Sequence, residues 1–182
     1  MKKVLVPLAP GFEEIEAVTV IDILRRAGVD VLAAGTIHGE IAGRTGIKIM
    51  PDAYLDDVIE KDYDMIVLPG GAAGAEHLKK DRRIRKLLEV MAGKGGFIAA
   101  ICAAPAVLSA VGLLRGRHAT SHPSVQAELR EAVYQNDRVV VDGALITSRA
   151  PGTAMEFAMK LVEVLEGPAK VQEVNKGVLA RI

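Results

Sequence analysis

Thiols and aromatic rings are nearly missing from this chain: its 182 residues include one cysteine, Cys102, and no tryptophan. One thiol cannot close an internal disulfide, so a reducing, cytoplasmic setting is the expected one. Neither charge sign is in excess, because 23 Lys plus Arg balance 23 Asp plus Glu. That balance argues against a surface built to attract nucleic acid or membrane. Half of the residues are hydrophobic, yet no apolar stretch runs for the roughly 20 residues a membrane helix needs. The opening MKKVLVPLAP has the lysines and short apolar run of a signal peptide. The acidic GFEEIE that follows lacks a small-residue cleavage site, so the segment reads as a first strand. Amides are scarce, with two Asn and three Gln, which points to a heat-adapted or idealised sequence. Repeats, low-complexity tracts and linkers are absent too, and residues 1–182 are expected to form one domain with a real core.

What is present alternates. KVLVPL (3–8), VDVLAAG (29–35), DMIVLP (64–69) and GFIAAI (96–101) are continuous apolar runs, as expected of strands buried on both faces. Between them come helical patterns. Ile15, Val18, Ile21 and Leu24 end at Gly28, and Asp81 caps a helix whose apolar face is Ile84, Leu87, Leu88 and Met91. A further helix is expected at 104–114. A last long one opens at Pro151 and bears Met155, Phe157, Ala158, Leu161, Val162 and Leu165. GEIAGRTGIKI and RVVVDGALITS read as hairpins, the second turning at Asp142-Gly143. The sum is an α/β fold with a mostly parallel sheet and helices on both faces.

In such a sheet, ligands bind beyond the carboxyl ends of the strands, which is where Cys102 falls. A nucleophile on a tight strand-to-helix turn needs small residues two before and two after it; here they are Ala100 and Ala104, and Pro105 suits the first helical turn. A helix N-terminus would pull the thiol pKa below its free value of about 8.5. The plain alternative, a buried cysteine acting as a small hydrophobe, stays open on position alone. Three other segments share that edge. Glu13, Glu14 and Glu16 follow the first strand, either as acids complementing a helix dipole or with one aimed at the thiol. Gly70, Gly71 and Gly74 miss the dinucleotide spacing, but a glycine turn with free N–H groups serves as an oxyanion hole. SHPS places His122 before a helix, with Ser121 as a possible cap; His118 and His122 lack the further ligand a zinc site needs, so no metal is expected.

Taken together, LAPGFEEIEAV, VLPGGAAGAE, AAICAAPAVL, TSHPS and ITSRAPGTAMEFA resemble the signature segments of the ThiJ/PfpI superfamily, nearest its DJ-one/YajL branch. The resemblance implies a flavodoxin-like three-layer sandwich, a homodimer, and a reactive cysteine on an elbow. It maps the cysteine to Cys102, the family's acid to Glu16 and its histidine to His122. The oxyanion donors map to the turn at Gly70 and Gly71 and to Ala103. Arg149, Ala150, Pro151 and Gly152 would edge the pocket and dimer contact, Arg26 would lie on the dimer surface, and the family's pocket arginine aligns imperfectly, at Arg44 or at no position. Ala103 stands where the peptidases of the superfamily have histidine, and the His-x-Glu of its amidotransferases is missing, so peptidase and amidotransferase activity are not expected.

The implied activity is attack on small reactive aldehydes, converting methylglyoxal to a 2-hydroxy acid without cofactor, or deglycation of glycated amines. The competing reading is a redox-sensing stress protein or chaperone whose cysteine oxidises to a sulfinate; the third is a scaffold with a vestigial site.

Overall fold

The computed structural model describes residues 1–181. The first strand, β1 (Lys3–Leu8), lies deep in the molecule, with residues 4–8 buried. It pairs in parallel with β2 (Asp30–Gly35) along its whole length, but with β6 (Met65–Leu68) only at Val4 and Leu5. Pro7 explains the asymmetry: it has no N–H to give, so the ladder toward β6 stops short and the two strands part at their carboxyl ends.

The full sheet runs β10 (Val139–Asp142), β11 (Leu145–Ser148), β7 (Phe97–Ile101), β6, β1, β2 and β5 (Ala53–Tyr54), and every pairing is parallel except β10 with β11. Chain order reverses between β1 and β6, so the gap opened by Pro7 coincides with the switch point at which open α/β sheets bind ligands. Small pairs outside the sheet are β3 (Ile41–Ala42) with β4 (Lys48–Ile49), and β8 (His118–Ala119) with β9 (Val133–Tyr134).

Helices cover both faces. One core forms under α1 (Glu14–Arg26), α5 (Ala154–Glu166) and α6 (Pro168–Val178); the other forms under α2 (Ala72–Lys80), α3 (Arg82–Gly93) and α4 (Pro105–Ala110). This is the α/β, mostly parallel three-layer architecture expected. Asp81 caps α3 by accepting the Arg83 N–H at 2.9 Å, and Pro105 opens α4, as read from the sequence. The expected hairpin forms one residue later than read: Asp142 still pairs with Leu145, and the turn is Gly143-Ala144, with φ +60° at Gly143. Among the described residues, no helix is long and apolar enough to cross a membrane.

Four expectations change. The buried side of α1 is Ala17, Val20, Ile23 and Leu24, whereas Ile15 and Val18 are exposed. A stripe of apolar residues fixes a face, but two adjacent stripes cannot say which one meets the sheet. The predicted 104–114 helix stops at Ala110, with Gly112 at φ +78° just beyond it. Two helices went unread: α2, hidden among Gly70, Gly71 and Gly74, and α6, which follows the supposed last helix after Gly167. Finally, Pro123–Glu128 is a 3-10 helix capped by His122, whose ring accepts the Ser124 N–H, while Ser121 is buried.

Candidate active site

The carboxyl ends of β1, β6 and β7 deliver three turns to one place. After β7 the chain bends so sharply that Cys102 takes φ +65°. That conformation costs an ordinary residue about 1–3 kcal/mol and persists only when its surroundings enforce it. Here they do: the Cys102 N–H donates to Ser148 O at 3.0 Å, and Cys102 O accepts the His122 N–H at 2.8 Å. Ala100 and Ala104 on either side are fully buried, so the alanines at the elbow meet its packing demand. Cys102 itself is 8% exposed, nearly enclosed without being sealed.

The three acids after β1 divide their work. Glu13 caps α1, accepting the Glu16 N–H at 2.8 Å. Glu14 turns to the β3–β4 loop, where its Oε1 accepts from Thr45 N at 2.7 Å and Thr45 Oγ1 at 2.6 Å. Glu16, with no exposed surface, points inward, and its Oε2 accepts the Gly70 N–H at 2.8 Å. The carboxyl stands beside the elbow, because a Cβ on Gly70 would touch both Oε2 and Cys102 Cβ, and the Cys102 thiol acts on it, while Oε1 has no partner.

Glycine is needed at both turn positions. A Cβ on Gly70 would lie 2.6 Å from Cys102 Cβ and 2.6 Å from Glu16 Oε2. Gly71 has φ +84°, and a Cβ there would lie 2.3 Å from Gly11 O. Stripped of side chains, this turn leaves the Gly71 N–H beside the elbow, where it and the Ala103 N–H favour negative charge on the sulfur. Sequence reading singled out Gly70, Gly71 and Ala103 for this position, and they come together with Cys102 and Glu16.

The electrostatics differ in one respect from expectation. Burial pushes the Glu16 carboxyl up to about 7, helped by the charge of Glu13 and opposed by the Gly70 N–H, the Cys102 hydrogen bond and the charge of Arg44. A raised carboxyl was expected; a raised thiol was not. Burial, followed by the Glu16 charge and hydrogen bond, pushes Cys102 up to about 12, against the N–H groups of Gly71 and Ala103. The predicted pull of the helix start fails because α4 has only six residues and begins three positions after the sulfur. At neutral pH the pair is thus a thiol beside a carboxylate close to its midpoint.

His122 is tied to the elbow through its backbone. Its ring Nδ1 lies 2.7 Å from Ser124 Oγ and accepts Ser124 N–H, which places the proton of the neutral ring on Nε2. Arg26 is not part of this cluster; it pairs with Asp22 on the outer side of α1, in a cleft with Val18, Met155 and Val178. Arg149 reaches Asn136 O at 2.9 Å, and half-buried Pro151 starts the 3-10 turn ahead of α5. Sequence reasoning missed Ser148, whose carbonyl anchors the elbow; a main-chain acceptor leaves no trace in residue type. Among the described residues, no three of His, Cys, Asp and Glu gather as a metal ion requires.

The DJ-1/PfpI family profile matches residues 2–164. The chain belongs to the DJ-1/PfpI family. The crystal structure of Drosophila melanogaster DJ-1beta superposes with a TM-score of 0.97 at 44% identity, covering 100% of this chain and 99% of that one. Toxoplasma gondii DJ-1, oxidized, superposes with a TM-score of 0.95 at 36% identity over the full length of both chains. Among relatives, the glutathione-independent glyoxalase DJR-1.2 of Caenorhabditis elegans is 42% identical over 178 residues, 96% of this chain and 95% of the relative. The flavodoxin-like fold is that of the family.

Proposed function

We propose that this DJ-1/PfpI protein is a cysteine-dependent, cofactor-independent enzyme that converts 1,2-dicarbonyls such as methylglyoxal into 2-hydroxy acids. One observation carries the reading: a fully buried Glu16, with a spare carboxyl oxygen, stands across Gly70 from Cys102, so close that a Cβ on that glycine would touch both, and the Gly71 and Ala103 N–H groups lie at the same sulfur. The nematode relative's name supports the reaction class.

The raised thiol directs the mechanism toward general-base activation, not a standing thiolate. Glu16 takes the thiol proton as sulfur attacks the aldehyde carbon, and the oxygen formed there is held by Gly71 and Ala103 before receiving that proton. The hemithioacetal then loses its carbon-bound hydrogen to the Glu16 carboxylate. Glu16 returns it to the neighbouring carbon while the hydroxyl proton of the first carbon passes to the oxygen of the second, so one carbon becomes the thioester carbonyl and the other the carbinol. The resulting thioester takes up water, releasing the 2-hydroxy acid and the thiol. A carboxyl near 7 is suited to both giving and taking a proton at neutral pH. His122 Nε2–H is the donor that would polarise the second carbonyl oxygen. Early glycated amines carry the same carbon as a hemiaminal; exchange of sulfur for nitrogen there breaks the C–N bond, releases the amine with the thiol proton and gives the same hemithioacetal, which extends the proposal to deglycation.

The experiment is methylglyoxal turnover to lactate, free of glutathione and amine buffers, for wild type, Cys102→Ser and Glu16→Gln. Loss of at least about 10²-fold in both variants is expected; full activity in either removes the proposal.

The exposed stripe on α1 supports a homodimer. Ile15 and Val18 are 56% and 48% exposed, and Val18 shares a cleft with Ile21, Ile49 and Met50. Arg26 borders that face. A second reading, oxidation of Cys102 to a sulfinate as a stress signal, is favoured by the unpartnered Glu16 Oε1, which when protonated would donate to a sulfinate oxygen. Intact mass after mild peroxide tests it.

A further inference from the structure

Glu14 has no part in the proposed chemistry, yet it is almost as buried as Glu16, at 5% exposed. A carboxylate taken out of water needs a compensating job, and one of its oxygens, Oε2, is buried without any partner. Its other bonds all go to one short segment. Thr45 donates to its Oε1 through both N–H and hydroxyl. Gly43 lies so close that a Cβ there would be 2.4 Å from Glu14 Oε1. The backbone completes the attachment: Gly11 N–H donates to Ala42 O at 2.8 Å and Arg44 N–H to Phe12 O at 2.9 Å. Thus the turn between β3 and β4 is stitched to the loop that leads from β1 into α1. Arg44, the residue at the centre of that turn, is exposed.

We propose that Glu14 is a positioning residue: its carboxylate fastens the 43–47 turn onto the head of α1, against the loop on which Gly71 packs, and thereby fixes where the Arg44 cation stands relative to Glu16. The proposal builds on the reaction assigned above, but the clasp itself does not require it. The titratable and charged groups acting most strongly on Glu16 are Cys102 from the elbow, Glu13 from the start of α1 and Arg44 from this turn, and of these Arg44 carries the positive charge. Burial raises the Glu14 carboxyl, but the Thr45 hydroxyl and the N–H groups of Thr45 and Ile47 outweigh it and hold Glu14 below the usual carboxylate range, so it stays charged wherever Glu16 titrates.

The test is the pH dependence of two rates: methylglyoxal turnover, and alkylation of Cys102 by iodoacetamide, which needs no catalytic function. Arg44→Met removes the cation, so the rising limb of both profiles moves to higher pH by about half a unit. Glu14→Gln is expected to move it equally, and the double variant no further than either single one. Thr45→Val reproduces the shift and Thr45→Ser restores the wild-type profile, which keeps the proposal testable if Glu14→Gln folds poorly. Unshifted profiles in Glu14→Gln or Thr45→Val, or additive shifts in the double variant, overturn it. If wild type turns over no methylglyoxal while the alkylation profiles shift as stated, the reaction assigned above fails and the clasp stands.

Discussion

Replacing Glu16 with glutamine should make the protein more stable in alkaline solution while destroying its activity. The side chains are nearly the same shape, and the amide oxygen still accepts the Gly70 N–H that now lies 2.8 Å from Oε2. What disappears is a buried negative charge. Burial is the first cause that raises this carboxyl from 4.5 to about 7; at about 1.4 kcal/mol per unit the ionised form is about 3 kcal/mol dearer in the folded state. Because the folded pKa lies above the unfolded one, the native state binds the extra proton between pH 4.5 and about 7. Stability attached to this group is therefore complete below pH 4.5 and is lost as pH rises through about 7. Wild type and Glu16→Gln should match below pH 4.5, diverge between pH 4.5 and about 7, and differ by a constant amount above that, with the variant ahead by up to about 3 kcal/mol, or roughly 6–12 °C in Tm for a chain of this size. Urea titrations at pH 4.5, 6, 7 and 8.5 measure it. A variant less stable than wild type at pH 8.5, or a difference that does not change with pH, would refute the reasoning that the charge of Glu16 is held against a desolvation cost for function's sake.

Two other outcomes follow from the geometry. Gly71→Ala forces a side chain into φ +84° and within 2.3 Å of the Gly11 carbonyl; a loss of more than about 2 kcal/mol is expected by urea unfolding, and an unchanged midpoint would show that the turn is pliable. Ile15→Glu places a charge on the exposed stripe of α1. Sedimentation should then show a folded monomer where wild type sediments as a dimer, and an unchanged dimer moves the interface elsewhere.

Much of the site was legible because each of its parts leaves a mark in residue type. A lone cysteine flanked by Ala100 and Ala104, acids at 13, 14 and 16, and glycines at 70 and 71 each follow an apolar run long enough to be a buried strand. The carboxyl ends of parallel strands share one edge, so those segments had to meet. The unread parts leave weaker marks. Helix α2 begins at a glycine with no capping side chain, and α6 repeats a pattern already satisfied by α5.

Residue order alone determined the architecture and which side chains stand at the catalytic edge, because alternation of strand and helix admits few right-handed arrangements. It also determined that α1 has an apolar stripe at Ile15 and Val18. Tertiary structure alone decided that this stripe faces out, that Glu13, Glu14 and Glu16 take three different partners, and that the thiol is raised instead of lowered. Those outcomes depend on how completely water is excluded and on where each carboxyl finds an N–H. Both are properties of atoms brought together from distant parts of the chain, and no local pattern encodes them.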